Sequence, residues 1–189
     1  SDYNIKDCKL VYDILEKKQI IPLAIERSQL VGLPLDKVTA SIASFDSLYI
    51  REANKRNLAS PTSEYIKKEE RIAGGYVHST DPGIYHNVLI LDFKSLYPSI
   101  IRTINIDPAS HLKSKPAKKP YIETVNKTYF SQEDGILPGI IQTLHKAREK
   151  AKKENRKDAV YAIKIIMNSF FGVLASPNCR YFSLDMANA

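Results

Sequence analysis

Apolar residues recur at helical spacing through the first 55 positions. Ile5, Cys8, Tyr12 and Leu15 share one side of a helix, and a second periodic stretch runs from about Lys37 to Asn54. Between them, Gly32-Leu33-Pro34-Leu35-Asp36 has the composition of a turn, with Asp36 placed to cap the helix that follows. Residues 56–73 are polar and poorly periodic, as in a linker, and Gly74-Gly75 punctuates the chain before Tyr76-Val77. From Gly83 to Phe93 the run GIYHNVLILDF becomes continuously apolar, which predicts a strand whose end is buried on both faces. Ser95 then stands where it can cap a helix LYPSIIRTI, in which Pro98 is tolerated only near the first turn. Residues 106–135 contain prolines and lysines without a clear period and read as an insertion or long loop. Pro138 opens an amphipathic helix with Ile140, Ile141, Leu144, Ala147 and Ala151 on one side. A second helix, about Lys157 to Ala175, is apolar almost all round and is expected to be largely buried. Joined by the charged stretch Glu154-Asn155-Arg156-Lys157, the two form a helical hairpin. The fold class is therefore α+β and helix-rich, without internal repeats.

Composition narrows the functional classes. The 189 residues can bury a real core, and no apolar run is long enough to span a membrane. Cys8 and Cys179 lie far apart, with no Cys-x-x-Cys or Cys/His cluster, so a zinc site is not expected and a reducing, cytoplasmic setting is. The net charge of +7 is uneven: residues 1–75 hold 12 Lys/Arg against 11 Asp/Glu, residues 76–189 hold 16 against 10. Within 145–164 eight basic residues face three acidic ones, which suits a polyanion or, equally, a solvated and salt-bridged helix face.

Two strings carry chemistry. Asp92 ends the apolar run, where a carboxylate is costly unless it turns the chain, caps a helix or binds a metal. The chain then enters a helix whose free N–H groups favour an anion, so a cation ligand sits next to phosphate donors. In AVYAIKIIMNSFFGVLA, Lys164 and Asn168 are four residues apart on one helix face, and Phe171 falls nearly above Lys164. They form either a site or a snorkelling lysine with an internally satisfied amide.

Residues 92–100, Asp-Phe-Lys-Ser-Leu-Tyr-Pro-Ser-Ile, resemble the D-x-x-S-L-Y-P-S-I signature of family B DNA polymerases at every defined position. Residues 164–172 resemble the family's K-x-x-x-N-S-x-Y-G, with Phe171 in place of the tyrosine. The resemblance implies that Asp92 and the Phe93 carbonyl bind two catalytic Mg²⁺ ions. It implies that Ser95 and Leu96 offer backbone N–H groups to the incoming triphosphate, and that Tyr97 sits beneath the sugar as a steric gate. Lys164 would bind triphosphate oxygens, Asn168 would contact the nucleotide, and Phe171 with Gly172 would lie against the nascent base pair. Lacking the hydroxyl, Phe171 loses any minor-groove contact that needs one. On the preceding helix Arg148 and Lys152, also four apart, match the position where the family meets the β- and γ-phosphates.

Two weaker elements extend the resemblance, which is to bacterial members of the family. Tyr3-Asn4-Ile5-Lys6-Asp7 fits the Y-x-x-x-D element of proofreading 3′–5′ exonucleases, where Tyr3 orients a water and Asp7 binds a metal. Gly74–Val77 is similar to the Gly-Gly element that joins exonuclease and polymerase regions, although Ile72 stands where a tyrosine is usual. The organisation implied is the tail of an exonuclease region (1–55), a linker (56–73), the start of the palm with an insertion (74–135), the fingers helices (136–175) and a return to the palm (176–189). Neither a D-T-D string after Lys164 nor a D-x-E string before Tyr3 occurs, so the expectation is an internal fragment of a polymerase, inactive alone. Its parent would copy primer–template DNA from dNTPs with proofreading, near the bacterial nucleoid, and would meet a sliding clamp through other regions. The competing reading is a basic, non-catalytic nucleic-acid-binding module with a polymerase-derived fold. Asp92, Tyr97, Lys164 and Asn168 together weigh against it, because DNA binding requires none of that set.

Overall fold

A computed structural model describes residues 2–63 and 78–189. The Gly74–Val77 element and positions 64–73 of the linker lie outside the described residues. In chain order the elements are α1 (Asp2–Lys17), α2 (Ile20–Val31), α3 (Ser41–Lys55), α4 (Leu96–Ile104), β1 (His111–Leu112), β2 (Tyr121–Glu123), β3 (Tyr129–Ser131), α5 (Ile136–Lys153), α6 (Lys157–Leu174) and α7 (Leu184–Asn188). The three strands form one antiparallel sheet in the order β1-β3-β2. Its central Phe130 pairs with His111 on one side and Ile122 on the other.

The α5–α6 hairpin organises the core. Ile136, Leu137, Ile140, Ile141 and Leu144 cover the inner face of α5. Ala162, Ile163, Ile166, Met167, Phe170, Val173 and Leu174 cover the inner face of α6. This is the spacing of a helix buried along one stripe. From α3, Phe45 and Tyr49 stack at 5.3 Å, and Phe170 of α6 meets Phe45 edge-on at 5.5 Å. Val31 at the end of α2 is fully buried in the same core. That end is shaped by Gly32, whose φ of +70° lets its N–H reach the Ser28 carbonyl. Ser47 and Arg51 of α3 both donate to the Val31 carbonyl, so the α2 C-terminus is tied down by its neighbour.

A buried polar pair joins α4, the sheet and α5. Asn105 donates to the Ser131 and Glu133 carbonyls and accepts from the Gly135 N–H. Fully buried Asp107 accepts from the Ala109 N–H at 2.8 Å and the Leu137 N–H at 2.7 Å. It therefore caps α5 from thirty residues away, where a carboxylate also complements the helix dipole. Gly135, at the N-cap position itself, has no side chain with which to cap the helix.

Several expectations need correction. The run 83–93 is not a strand: it is irregular, bends at His86-Asn87 and has no ladder partner among the described residues, and Leu89, Ile90 and Leu91 are 88–92% exposed. Apolarity alone does not make a strand, because its N–H and C=O groups need a neighbour; the sheet that does form draws on 111–131 instead. Residues 106–135 are accordingly not irregular, but hold that sheet and the Asn105–Asp107 network's partners. The spacing of Ile5, Cys8, Tyr12 and Leu15 does mark a helix, α1, but that helix buries no residue, and Ile5 and Tyr12 are 68% and 64% exposed. Asp36 does not cap α3. Two successive turns, closed by Lys37 to the Pro34 carbonyl and Ala40 to the Lys37 carbonyl, use up that stretch and delay the helix to Ser41. Ser95 occupies the N-cap position of α4, yet its side chain makes no capping bond, because its backbone is left-handed (φ 55°).

Candidate functional site

The two sequence strings meet through a pair of rings. Tyr97, on the first turn of α4, stacks on Phe171 of α6 with centroids 4.8 Å apart and planes 16° from parallel. Behind them a cavity of about 140 Å³ is lined by Ile100, Ile101, Ile106, Leu174 and Met186. Tyr97 remains 47% exposed, so its outer edge faces solvent. The stack joins α4 to the hairpin through parallel aromatic faces, a stabilising arrangement when offset.

Along α6 the exposed positions Tyr161, Lys164, Asn168 and Gly172 form one stripe. Lys164 and Asn168 thus share a face as their spacing predicts, but they emerge from the helix's solvent side rather than from a wholly buried helix. At Gly172 a Cβ would meet nothing within 4 Å, so the stripe ends in open space. Lys164 also lines a cavity of about 270 Å³ at the hairpin tip, with Lys152, Lys157, Tyr161 and Asn155. Lys152 and Lys164 are therefore brought together by α5 and α6. Arg148 is not among those lining residues; it is half-buried, and its Nε is covered without a partner among the described residues. Lys152 is not free, but pairs with Glu149 at 2.7 Å. That hydrogen bond holds the Glu149 carboxyl below the usual carboxylate range; both groups are well exposed, so the pair is weak.

Around Asp92 the chain has no regular secondary structure and is exposed. Lys94 lies close enough to Glu149 to add to its charge stabilisation, and the Ser99 hydroxyl donates to the Lys94 carbonyl at 3.3 Å. Ser95's left-handed backbone leads into α4, where Leu96 and Tyr97 open the helix uncapped and Pro98 has no N–H. That arrangement suits an acceptor at the α4 N-terminus. A divalent cation fits less well. Mg²⁺ takes six oxygen ligands in near-octahedral geometry, and among the described residues no group of three or more His, Cys, Asp or Glu side chains could hold a metal. Asp92 and the Phe93 carbonyl are a partial ligand set only. Tyr3 and Asp7 lie on the exposed α1, and Asp7 belongs to no such group either.

The sequence reading passed over Asn105 and Asp107, although Asn105-Ile106-Asp107-Pro108 carries turn chemistry that flags both. It also passed over Arg56 and Arg102, which line a separate polar cavity of about 500 Å³. Only the packing of distant segments unites that pair.

The profile described as "DNA polymerase family B" matches residues 38–189. The chain is 39% identical to DNA polymerase II of Escherichia coli (strain K12) over 99% of its own length and 24% of that protein's. It is 30% identical to the DNA polymerase of Desulfurococcus sp. (strain Tok), over 99% of the chain and 26% of the relative. The solved family B DNA polymerase of Pyrobaculum calidifontis shares the fold at a TM-score of 0.72, with 24% identity, over 90% of this chain and 25% of that one. The chain thus spans about a quarter of the length of the relatives it matches. With both signature strings joined at one ring stack and the family profile extending from α3's approach to the last residue, this chain belongs to the family B DNA polymerases.

Proposed function

We propose that this chain is the part of a template-directed DNA polymerase that receives the nucleotide, comprising the start of the palm (74–135), the fingers helices (136–175) and the return to the palm (176–189). The reaction class is attack of a primer 3′-hydroxyl on the α-phosphate of a dNTP, with release of pyrophosphate. The observation that carries this reading is the stack of Tyr97 on Phe171. It holds the ring of Tyr97 from behind while leaving its edge free, which supports a gate against a ribose 2′-hydroxyl, and Phe171 with Gly172 would lie beside the nascent base pair. Lys164 and Asn168, about two turns and one turn before Gly172, would then face the triphosphate, with Arg148 and Lys152 approaching its β- and γ-phosphates from α5.

Charge at the site is managed by this chain's cations. Lys164 makes no ion pair among the described residues, so its ammonium is available to phosphate oxygens and to charge growing on the leaving group. Lys152 must first be shared with Glu149. Leu96 and Ser95 contribute N–H groups at the α4 N-terminus. Asp92 and the Phe93 carbonyl are this chain's contribution to a Mg²⁺ site, which would neutralise the triphosphate when complete. Residues 1–55 are read as the tail of a 3′–5′ exonuclease region in which Tyr3 and Asp7 belong to the proofreading site. Primer–template DNA is the proposed macromolecular partner.

The test is sugar choice. In the complete polymerase, Tyr97→Ala is expected to raise ribonucleotide incorporation at least tenfold relative to deoxyribonucleotide in single-turnover extension, an energy difference of about 1.4 kcal/mol. Unchanged discrimination would refute the gate and with it the nucleotide-receiving role.

A further inference from the structure

On the side of α4 away from Tyr97 lies a second polar site. Ser99, Arg102 and Thr103, spaced three and four apart, share one face of α4, while Tyr97, Ile100 and Ile101 line the apolar cavity on another. The first trio lines the cavity of about 500 Å³, closed by Arg56 from the end of α3 and by Gly139 and Gln142 of α5. That volume is in the range of ligand sites rather than surface dimples. Its chemistry is cationic at two points and hydrogen-bonding elsewhere. Arg56 is oriented by a 2.5 Å bond to the Asp134 backbone carbonyl, which leaves the rest of its guanidinium for the cavity. Arg102 is exposed and takes part in no ion pair or hydrogen bond among the described residues. The floor is bare: a Cβ at Gly139 would meet nothing within 4 Å. One carboxylate, Asp134, also lines the space, so the cations outnumber it two to one. The α5 dipole adds little, because Asp107 already answers it from the buried side.

Two guanidinium forks converging with hydroxyl and amide donors on an open cavity match a phosphate group, since Arg meets phosphate through paired N–H bonds. We infer that the Arg56–Arg102 cavity holds a backbone phosphate of single-stranded nucleic acid, on the face of α4 opposite the nucleotide gate. A single strand is favoured because the cavity admits a phosphate together with its sugar, which a flexible single strand can turn into it, whereas a duplex keeps its sugars packed against the base pairs. This deepens the proposed function and rests on it for the polymer's identity. The site itself stands on residues that function does not use.

The experiment is fluorescence anisotropy with fluorescein-labelled oligothymidine and the 189-residue chain across a salt series, comparing the parent with Arg102→Ala, Arg102→Lys and Lys164→Ala. Arg102→Ala is expected to weaken strand binding about five- to tenfold, the loss of one charged hydrogen-bonding partner. It is also expected to flatten the log-affinity versus log-salt slope by about 0.7, one single-strand phosphate contact. Arg102→Lys should restore the salt slope but only part of the affinity, because an ammonium keeps the charge and loses the paired N–H geometry. Arg102 is solvent-exposed and unpaired, so an unchanged circular dichroism spectrum is expected of the variant. Strand affinity unchanged in Arg102→Ala would overturn the site. Displacement of the oligonucleotide by dGTP from the parent but not from Arg102→Ala would assign the cavity to free nucleotide and overturn the strand assignment. Lys164→Ala separates the two readings: dGTP affinity unaltered by that change counts against the nucleotide role proposed above and leaves the Arg102 result standing.

Discussion

Asp107 illustrates how a single residue can act at a distance in this chain. Its carboxylate is fully buried, forms no ion pair among the described residues, and is satisfied by the Ala109 and Leu137 N–H groups. Burial and then the neighbouring Asp107 charge push the Tyr49 phenol far above its usual range, so Tyr49 stays protonated and able to donate. Asp107→Ala strands the helix-capping Leu137 N–H and leaves the Ala109 N–H only its 3.3 Å bond to the Tyr49 hydroxyl, at a cost of roughly 3 kcal/mol. That corresponds to a fall in melting temperature of about 6–12 °C for a chain of this size, measurable by calorimetry. A fall of a degree or less would show that the α5 N-terminus is held by other means. Asp92 is the opposite case, exposed and outside any metal-holding group among the described residues. In the complete polymerase Asp92→Asn should abolish extension while DNA affinity stays within about twofold, because an amide is a poor substitute for an anionic cation ligand. Extension at near-parent rates in Mg²⁺ would remove Asp92 from the chemistry.

Among the elements, the α5–α6 hairpin was readable from periodicity almost to the residue. Pro138 sits in the first turn of α5, where it is tolerated, and the charged stretch before Lys157 is the turn. Its stability comes from ring and aliphatic packing. Phe170 is fully buried and meets Phe45 edge-on, so Phe170→Ala should destabilise the chain by about 3–5 kcal/mol in denaturant titrations. A loss below 1 kcal/mol would mean that α3 does not pack on the hairpin as described. Gly135 is a tighter constraint. A Cβ there would lie 2.7 Å from the Asn105 Oδ1 and 2.9 Å from the Asp107 Cβ, so the capping network leaves no room for alanine. The strand expected over 83–93 failed for an equally physical reason. A continuous apolar run states that a segment prefers burial, but pairing requires a second backbone at ladder distance, and none of the described strands lies alongside it.

For the molecule as a whole, nearly all of the excess charge of +7 lies in the half that carries the hairpin. Binding to nucleic acid should therefore weaken as salt rises, whereas catalysis is a stricter demand. We expect the 189 residues alone neither to extend a primer nor to degrade a 3′ end in Mg²⁺ or Mn²⁺, since Asp92 and Asp7 each lack companion carboxylates among the described residues. Templated extension that disappears in Asp92→Asn would contradict this. What the sequence by itself determined was local or carried in contiguous strings: the helices, set by the 3.6-residue spacing of apolar side chains, the polymerase family, set by residues 92–100 and 164–172, and the sharing of one face by Lys164 and Asn168. Tertiary structure alone decided what depends on residues far apart in the chain. It set Tyr97 on Phe171, Asp107 under α5, Arg56 across a cavity from Arg102, and Lys152 beside Lys164 in the cavity at the hairpin tip. The division follows from range. Backbone hydrogen bonding and side-chain spacing act within a few residues, whereas burial, long-range capping and shared cavities exist only once separate segments have packed.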